Sequence, residues 1–197
     1  SIGSLLAGCL STTSTDLLLY GRGLHAAHLT VEGLIVEGIQ SQTTSSQRWE
    51  VLLAEHPLPE SVRGCCDVVI MTGKSSTFDE HLSVVKHILH TDGFVCTLSN
   101  GLGHEERLVH AFGAHRVLAA TTTHGAYRPQ AGTVHWAGKG KISIGPFVYQ
   151  HSEESVRELI EVLHDANLNP HWFADGAVLL WNKMLLNIAI NPLAGLL

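Results

Sequence analysis

Short apolar runs alternate with amphipathic stretches along most of the chain. Four short apolar runs predict strands: DLLLYGR (16–22), CDVVIMTGK (66–74), FVCTLSNG (94–101) and RVLAATTT (116–123). CDVVIMTGK is the clearest buried strand, because it is apolar and β-branched. Stretches with the spacing of a helix face lie before and between these runs. Strands that alternate with helices are typical of an α/β protein with a mostly parallel sheet and flanking helices.

Capping residues place the ends of the predicted helices. STFDEHLSVVKHILHTDG (76–93) predicts a helix that Ser76 or Thr77 caps and that Gly93 ends. HEERLVHAFG (104–113) predicts the next helix, which stops at its final glycine.

The sequence also makes predictions for residues 132–146 and 152–168 and leaves the segments within residues 31–54 open. GTVHWAGKGKISIGP (132–146) alternates and contains several glycines, so it predicts an antiparallel hairpin. SEESVRELIEVLHDANL (152–168) predicts a helix capped by Ser152, or one that begins later with Ser155 and Glu158 as a capping box. Three segments fit either short strands or a hairpin: VEGLIVEG (31–38), QSQTT (40–44) and RWEVLLA (48–54).

Composition excludes several classes of function. The formal net charge of −6 gives no basic excess for nucleic acid or an anionic membrane, and no apolar run reaches the roughly 18 residues of a membrane span. The four cysteines form no CxxC pair, so we expect reduced thiols in a cytoplasmic protein. His25/His28 and His87/His90 have helical spacing, but no carboxylate or thiol completes a metal site, and surface histidines are the favoured interpretation.

Polar residues follow the predicted strands, where open α/β sheets bind their ligands. Arg22 follows the first apolar run, where an arginine can pair with the 2′-phosphate of a dinucleotide. Lys74 follows the next run at a helix start, which suits a phosphate or carboxylate. Asn100, with nearby glycines, and His124 follow the last two runs. Each residue alone has an ordinary structural explanation, but their recurrence at strand ends favours a ligand site.

The closing segment LLWNKMLLNIAINPLAGLL (179–197) carries a polar stripe on an apolar helix. Lys183, Asn187 and Asn191 are spaced by four and therefore face the same way. Leucines and isoleucines such as Leu185 occupy the rest of the circumference and are expected to pack. Because an apolar helix rarely lies free in water, the stripe is expected to face a cleft rather than bulk solvent.

Taken in order, these motifs resemble the ketopantoate reductase (2-dehydropantoate 2-reductase) family. The segments that carry the resemblance are SIGSLLAG (1–8), GKSSTFDEHL (73–82), LSNGLGHEERL (98–108), RVLAATTTHGAYR (116–128), GPF (145–147) and the closing segment. The resemblance implies a Rossmann-like domain that binds NADPH, followed by an all-helical domain. It also implies reduction of ketopantoate to pantoate, on the route to pantothenate and coenzyme A.

Residue roles follow from the resemblance by position. It implies that Lys183 is the catalytic lysine and that Asn187 and Asn191 bind the substrate. For the cofactor, it implies contacts from four residues: Gly3 in the nucleotide loop, Arg22 on the 2′-phosphate, Lys74, and Asn100 near the nicotinamide.

The chain departs from the family pattern at both ends. We expect a first strand with the leading glycines upstream of residue 1. We also expect most of the helical domain, with its serine and glutamate site residues, beyond residue 197, so the piece alone should be inactive. Residues 1–172 then form the NADPH-binding domain and residues 173–197 the first helix of the substrate domain. The alternatives are another branched 2-oxo acid as substrate, or a non-catalytic dinucleotide-binding module. A homodimer is compatible with the sequence.

Overall fold

A computed structural model describes residues 1–99, 103–148, 151 and 153–194. The described part contains six α-helices: α1 (Ile2–Leu10), α2 (Gly23–Val31), α3 (Phe78–Ile88), α4 (His104–Phe112), α5 (Arg157–Asp165) and α6 (Gly176–Ala194). It contains eleven strands: β1 (Leu18–Gly21), β2 (Leu34–Gly38), β3 (Gln42–Thr44), β4 (Glu50–Leu53), β5 (Cys66–Met71), β6 (Leu89–Thr97), β7 (Val117–Thr122), β8 (Gly125–Gln130), β9 (Thr133–Gly138), β10 (Ile142–Pro146) and β11 (Pro170–Trp172). The α/β class predicted from the sequence is confirmed.

The chain divides into two compact units. The first unit comprises Ser1–Val62, Thr123–Ile142 and Arg157–Pro170, and the second comprises Arg63–Thr122, Ser143–Val156 and His171–Leu197.

The first unit contains a four-stranded sheet and a separate strand pair. The sheet has the order β3-β2-β9-β8, with β2 and β9 parallel and the two outer pairings antiparallel. Strands β1 and β4 form the parallel pair. Helix α1 packs on the sheet through Leu5 and Leu6, and Gly8 lets the helix approach closely, since an added Cβ would lie 2.5 Å from a Val36 methyl.

The second unit is built on a five-stranded sheet in the order β11-β10-β7-β6-β5, in which β5, β6 and β7 run parallel. Helices α3 and α4 cover it through an apolar core that includes Phe78, Leu108 and Val117. Helix α6 packs on β7 through its first turns, where Leu179 and Leu180 are buried.

Helix α3 ends five residues before the predicted glycine. The backbone becomes extended at Leu89, directly after Ile88. Leu89 is buried and is the first residue of β6. Gly93 lies inside β6 instead, where an added Cβ would lie 2.7 Å from the carbonyl oxygen of Asp67. The glycine therefore serves close packing of two strands, not a helix end. The predicted helix end at Gly113 is confirmed.

The predicted hairpin over residues 132–146 is wrong. Strands β9 and β10 belong to different sheets, and β9 pairs antiparallel with the preceding strand β8. Gly132, with φ of 71°, lies in the turn between β8 and β9. The alternation in this region reflects a real strand, but its partner lies before it in the chain.

The regions left open by the sequence are also resolved. β2 and β3 form an antiparallel hairpin, whereas β4 pairs parallel with β1. Helix α5 follows a 3-10 turn over Glu153–Val156; both candidate caps, the Ser152 residue and the Ser155 side chain, lie outside the described part. None of the described helices is long and apolar enough to cross a membrane.

Candidate functional site

Two hydrogen bonds connect the segments at the carboxyl ends of β5 and β6. The amide of Leu98 donates to the Met71 carbonyl oxygen at 2.8 Å, and the Ser99 hydroxyl donates to the Gly73 carbonyl oxygen at 2.5 Å. Lys74 follows one end of this link directly, and Asn100, which lies outside the described residues, follows the other. The link holds Ser99 and the segment that leads to Lys74 at one edge of the sheet in the second unit.

Lys74 presents its side chain from a fixed backbone. Its carbonyl oxygen accepts from both the amide and the hydroxyl of Thr77, each at 2.9 Å, while the side chain is exposed. Thr77 occupies the N-cap of α3, as predicted, but its hydroxyl closes this turn and makes no capping bond to the helix. The first amides of α3 and an exposed ammonium therefore lie within a few residues of each other, which suits an anionic ligand.

Arg22 stands at the end of β1 as the exposed, extended N-cap residue of α2. Glu55, which the sequence did not single out, lies beside Arg22. The Glu55 carboxylate accepts from the Gly23 amide at 2.9 Å. That bond, then the backbone amide of Glu55 itself, and to a lesser extent the charge of Arg22 hold the pKa of Glu55 below its usual value. Glu55 follows β4, the parallel neighbour of β1, so strand pairing brings it to Arg22.

Gly3 lies in the first turn of α1, and the next residue, Ser4, contacts the half-buried His25. Ser4 Oγ lies 2.8 Å from His25 Nε2, and the Gly132 amide donates to His25 Nδ1 at 3.0 Å. Since Nδ1 accepts a bond, the neutral ring carries its proton on Nε2 and donates it to Ser4. Burial and then Arg128 lower the pKa of His25 to about 4.

The histidine pairs singled out in the sequence have structural roles. His25 is part of the network above, so the surface interpretation is wrong for it. His28 pairs with Glu32 at 3.3 Å, within one helix. His87 and His90 do not share a helix face because α3 ends between them. In the described ranges, no group of three or more His, Cys, Asp or Glu side chains could hold a metal ion.

His124 is a core residue and not a ligand-facing one. It is 6% exposed, and its Nδ1 accepts from the Gly140 amide at 3.0 Å. Its Nε2 lies 3.0 Å from the Leu168 carbonyl oxygen, and its ring meets Trp136 edge to face. Burial lowers the pKa of His124, so the neutral ring is the state that this packing favours.

Lys183 is half-buried on α6 in the second unit. Burial lowers the pKa of its ammonium, and the nearby Glu105 opposes that shift. The side chains of Asn187 and Asn191 lie outside the described part, although both residues belong to α6. The expectation that the apolar remainder of the helix packs is wrong at Leu185, which is 60% exposed, although Leu179 and Leu180 earlier in the helix are buried.

Glu105 is a buried acidic residue whose burial the sequence did not reveal. It belongs to the first turn of α4, where acids are common for helix-dipole reasons, so nothing distinguished it from Glu106. The structure separates them, since Glu105 is 2% exposed whereas Glu106 is exposed.

Comparison with known proteins shows which sequences resemble this chain. The family described as ketopantoate reductase PanE/ApbA matches residues 1–149. The chain is 31% identical over its whole length to 2-dehydropantoate 2-reductase of Pyrococcus horikoshii, of which it covers 61%. It spans about three fifths of the length of such curated relatives.

Solved structures show the same fold. The 2-dehydropantoate 2-reductase of Geobacter metallireducens matches with a TM-score of 0.76 at 26% identity, over 94% of this chain and 58% of that one. A ternary structure of D-mandelate dehydrogenase with NADH and anilino(oxo)acetate matches with a TM-score of 0.74 at 19% identity, over 88% of this chain and 54% of that one.

Proposed function

This chain belongs to the ketopantoate reductase family, and on that premise we propose that the whole protein reduces ketopantoate to pantoate with NADPH. The observation that carries the proposal is Lys183, a half-buried lysine on the apolar helix α6 whose pKa burial lowers. A surface lysine would have neither feature. The reaction class is NADP-dependent reduction of a small 2-oxo acid.

The residues at the strand ends fit a dinucleotide. Arg22 and the first amides of α2 suit the adenosine 2′-phosphate, Gly3 in α1 suits the nucleotide loop, and exposed Lys74 suits a cofactor anion. Asn100 is assigned to the nicotinamide end by its position after β6. When bound, the cofactor supplies the hydride, and the protein supplies orientation and electrostatics. NADPH is preferred over NADH because arginine, and not an acid, directly follows β1.

Lys183 performs the proton chemistry in this proposal. Reduction of a ketone builds negative charge on its carbonyl oxygen, and an ammonium beside that oxygen stabilises the charge and then donates its proton. A lysine suits the role because burial moves its pKa towards the working pH. Asn187 and Asn191 follow Lys183 on the same helix stripe and supply neutral donors and acceptors for the hydroxyl and carboxylate of the substrate.

The proposal extends to the rest of the protein. Residues 1–172 form the cofactor domain and residues 173–197 begin the substrate domain, which supplies the remaining substrate contacts. The described cysteines are all free thiols, which suits the cytoplasm.

A panel of substrates tests the proposal on the full-length protein. NADPH oxidation is followed at 340 nm with ketopantoate and with unbranched and other branched 2-oxo acids. We expect the largest kcat/KM for ketopantoate. A larger value for another 2-oxo acid would assign a different substrate to the same chemistry. NADPH binding without oxidation by any of these acids would favour a non-catalytic binding module and refute the reductase.

A further inference from the structure

Two of the four cysteines are adjacent in the sequence and lie near the surface of the second unit. Cys65 is exposed and Cys66 is partly buried, and both are free thiols. Their Sγ atoms lie 3.7 Å apart. The other two cysteines, Cys9 and Cys96, are buried. The exposed pair takes no part in the proposed reaction.

The local backbone brings the two sulfur atoms together. Adjacent residues in a regular strand point to opposite faces of the sheet, which would keep their side chains apart. Here only Cys66 belongs to β5, whereas Cys65 follows a turn that includes Gly64, with φ of 62°. The change from turn to strand therefore interrupts the alternation at the position of the pair.

Backbone contacts on both sides hold this arrangement. The Gly64 amide donates to the His87 carbonyl oxygen at 2.9 Å, and Cys66 pairs in register with Leu89 on the parallel strand β6. A Cβ added to Gly93 of β6 would lie 3.0 Å from the Cys66 carbonyl oxygen. Because the chain is held by α3 and β6 around the pair, the fold presents the two thiols together.

The separation of the sulfur atoms suits one bridging atom better than a direct bond. At a bond length of about 2.3 Å, which thiolates make to zinc, a separation of 3.7 Å gives an angle of about 107° at the bridging atom. This angle is close to tetrahedral. A disulfide would require the sulfur atoms to approach to about 2.05 Å, and its usual Cα separation of at least about 4.4 Å exceeds the roughly 3.8 Å between adjacent residues.

The number of available ligands narrows the choice of bridging atom. A zinc ion in a structural site takes four ligands, and no group of three or more His, Cys, Asp or Glu side chains in the described ranges could hold a metal ion. Trivalent arsenic with one organic substituent needs only two thiols, because the substituent is its third group. Its oxide reacts with protonated thiols. Burial and then the hydrogen bond with Cys65 raise the pKa of Cys66 to about 12, so this thiol is protonated at neutral pH.

We propose that Cys65 and Cys66 form a binding site for organic arsenoxides of trivalent arsenic. Each sulfur bonds to arsenic as its thiol loses a proton, the arsenic–oxygen bond breaks, and the oxygen leaves with both protons as water. No electrons are transferred, so the step needs no oxidant or reductant. The site is separate from the proposed cofactor site, because Cys66 begins β5 and Met71 ends it about 17 Å away, at about 3.3 Å per residue.

The first test measures binding of phenylarsine oxide to the full-length protein by intact mass spectrometry. Cys65→Ser and Cys66→Ser should each carry one phenylarsenic group fewer than wild type, and their affinity at this site should fall at least about a hundredfold, since a chelate loses its second bond. The control Cys9→Ala should bind as wild type does. The wild-type adduct should survive excess mercaptoethanol and be removed by the dithiol dimercaptopropanol. Equal binding by wild type and both serine variants would overturn the proposal.

The second test separates the folded site from the dipeptide and needs no variant. An unfolded chain contains the same two thiols but does not hold them together. Native wild type should therefore bind phenylarsine oxide at least about fivefold more tightly than the same protein in urea. Equal affinity in the two states would refute a preformed site. With oxidised glutathione, native protein should form no disulfide between Cys65 and Cys66, and rapid formation of that bond would contradict the preference for a bridging atom.

Discussion

Protonation of His25 at acidic pH should destabilise the first unit. His25 joins α1 to the β8–β9 turn only while its Nδ1 is unprotonated, because that atom accepts the Gly132 amide. A proton on Nδ1 removes this bond and places a charge in a partly buried site beside Arg128. Since Ser4 on the same network is adjacent to Gly3, the perturbation also reaches the nucleotide loop that we propose.

The magnitude follows from the difference in pKa. The pKa of His25 is about 4 in the fold against 6.5 as the ordinary value. The unfolded chain therefore binds more protons between these two values, so stability is complete above pH 6.5 and declines as pH falls towards 4. At pH 5 the full shift corresponds to about 2 kcal/mol, and screening of a half-exposed ring reduces this to about 1 kcal/mol.

Urea unfolding of the full-length protein at pH 7.5 and pH 5.0 checks this value. His25→Asn keeps an acceptor for the Gly132 amide but cannot be protonated, so it should lose about 1 kcal/mol less than wild type between the two pH values. His110→Asn is the matched control, since His110 is exposed on α4 and should behave as wild type does. Equal losses in wild type and His25→Asn would refute the reasoning.

Three further substitutions test the cofactor site and the fold. Arg22→Ala should weaken NADPH binding at least tenfold more than NADH binding, measured by fluorescence titration; similar losses would contradict the 2′-phosphate contact. Glu55→Gln removes a negative charge beside Arg22, so it should tighten NADPH more than NADH, and an unchanged ratio of dissociation constants would count against that. Gly176→Val should destabilise the protein by about 1–3 kcal/mol in urea unfolding, because its side chain would meet Pro146 and Ala119; wild-type stability would disprove the close contact.

The sequence predicts individual elements better than their pairing. Buried strands such as β5 and β7, and the end of α4 at Gly113, follow from local apolar content and backbone preference. The partner of β9 does not, because the alternation in its sequence is the same whether it pairs with β8 or β10. Gly93 shows a related ambiguity, since a glycine that ends a helix and one that allows two strands to approach look alike in sequence.

In the candidate site, too, the sequence indicates residues at recognisable local positions but not residues that depend on pairing between distant segments. Lys183, Lys74 and Arg22 could be proposed as site residues from the sequence, because they occupy strand ends or a polar stripe. Glu55 could not, because it comes to lie beside Arg22 only through the pairing of β1 with β4. Local sequence contains no information about such a partner.

Turnover and cofactor binding by Lys183→Ala in the full-length protein test the central claim most directly. Ketopantoate-dependent NADPH oxidation should fall by about a hundredfold or more, because the proton donor is lost. The dissociation constant for NADPH should stay within about twofold of wild type, since the lysine is assigned to substrate chemistry and not to the cofactor. Equal losses of turnover and NADPH affinity, or turnover that survives the substitution, would contradict the account.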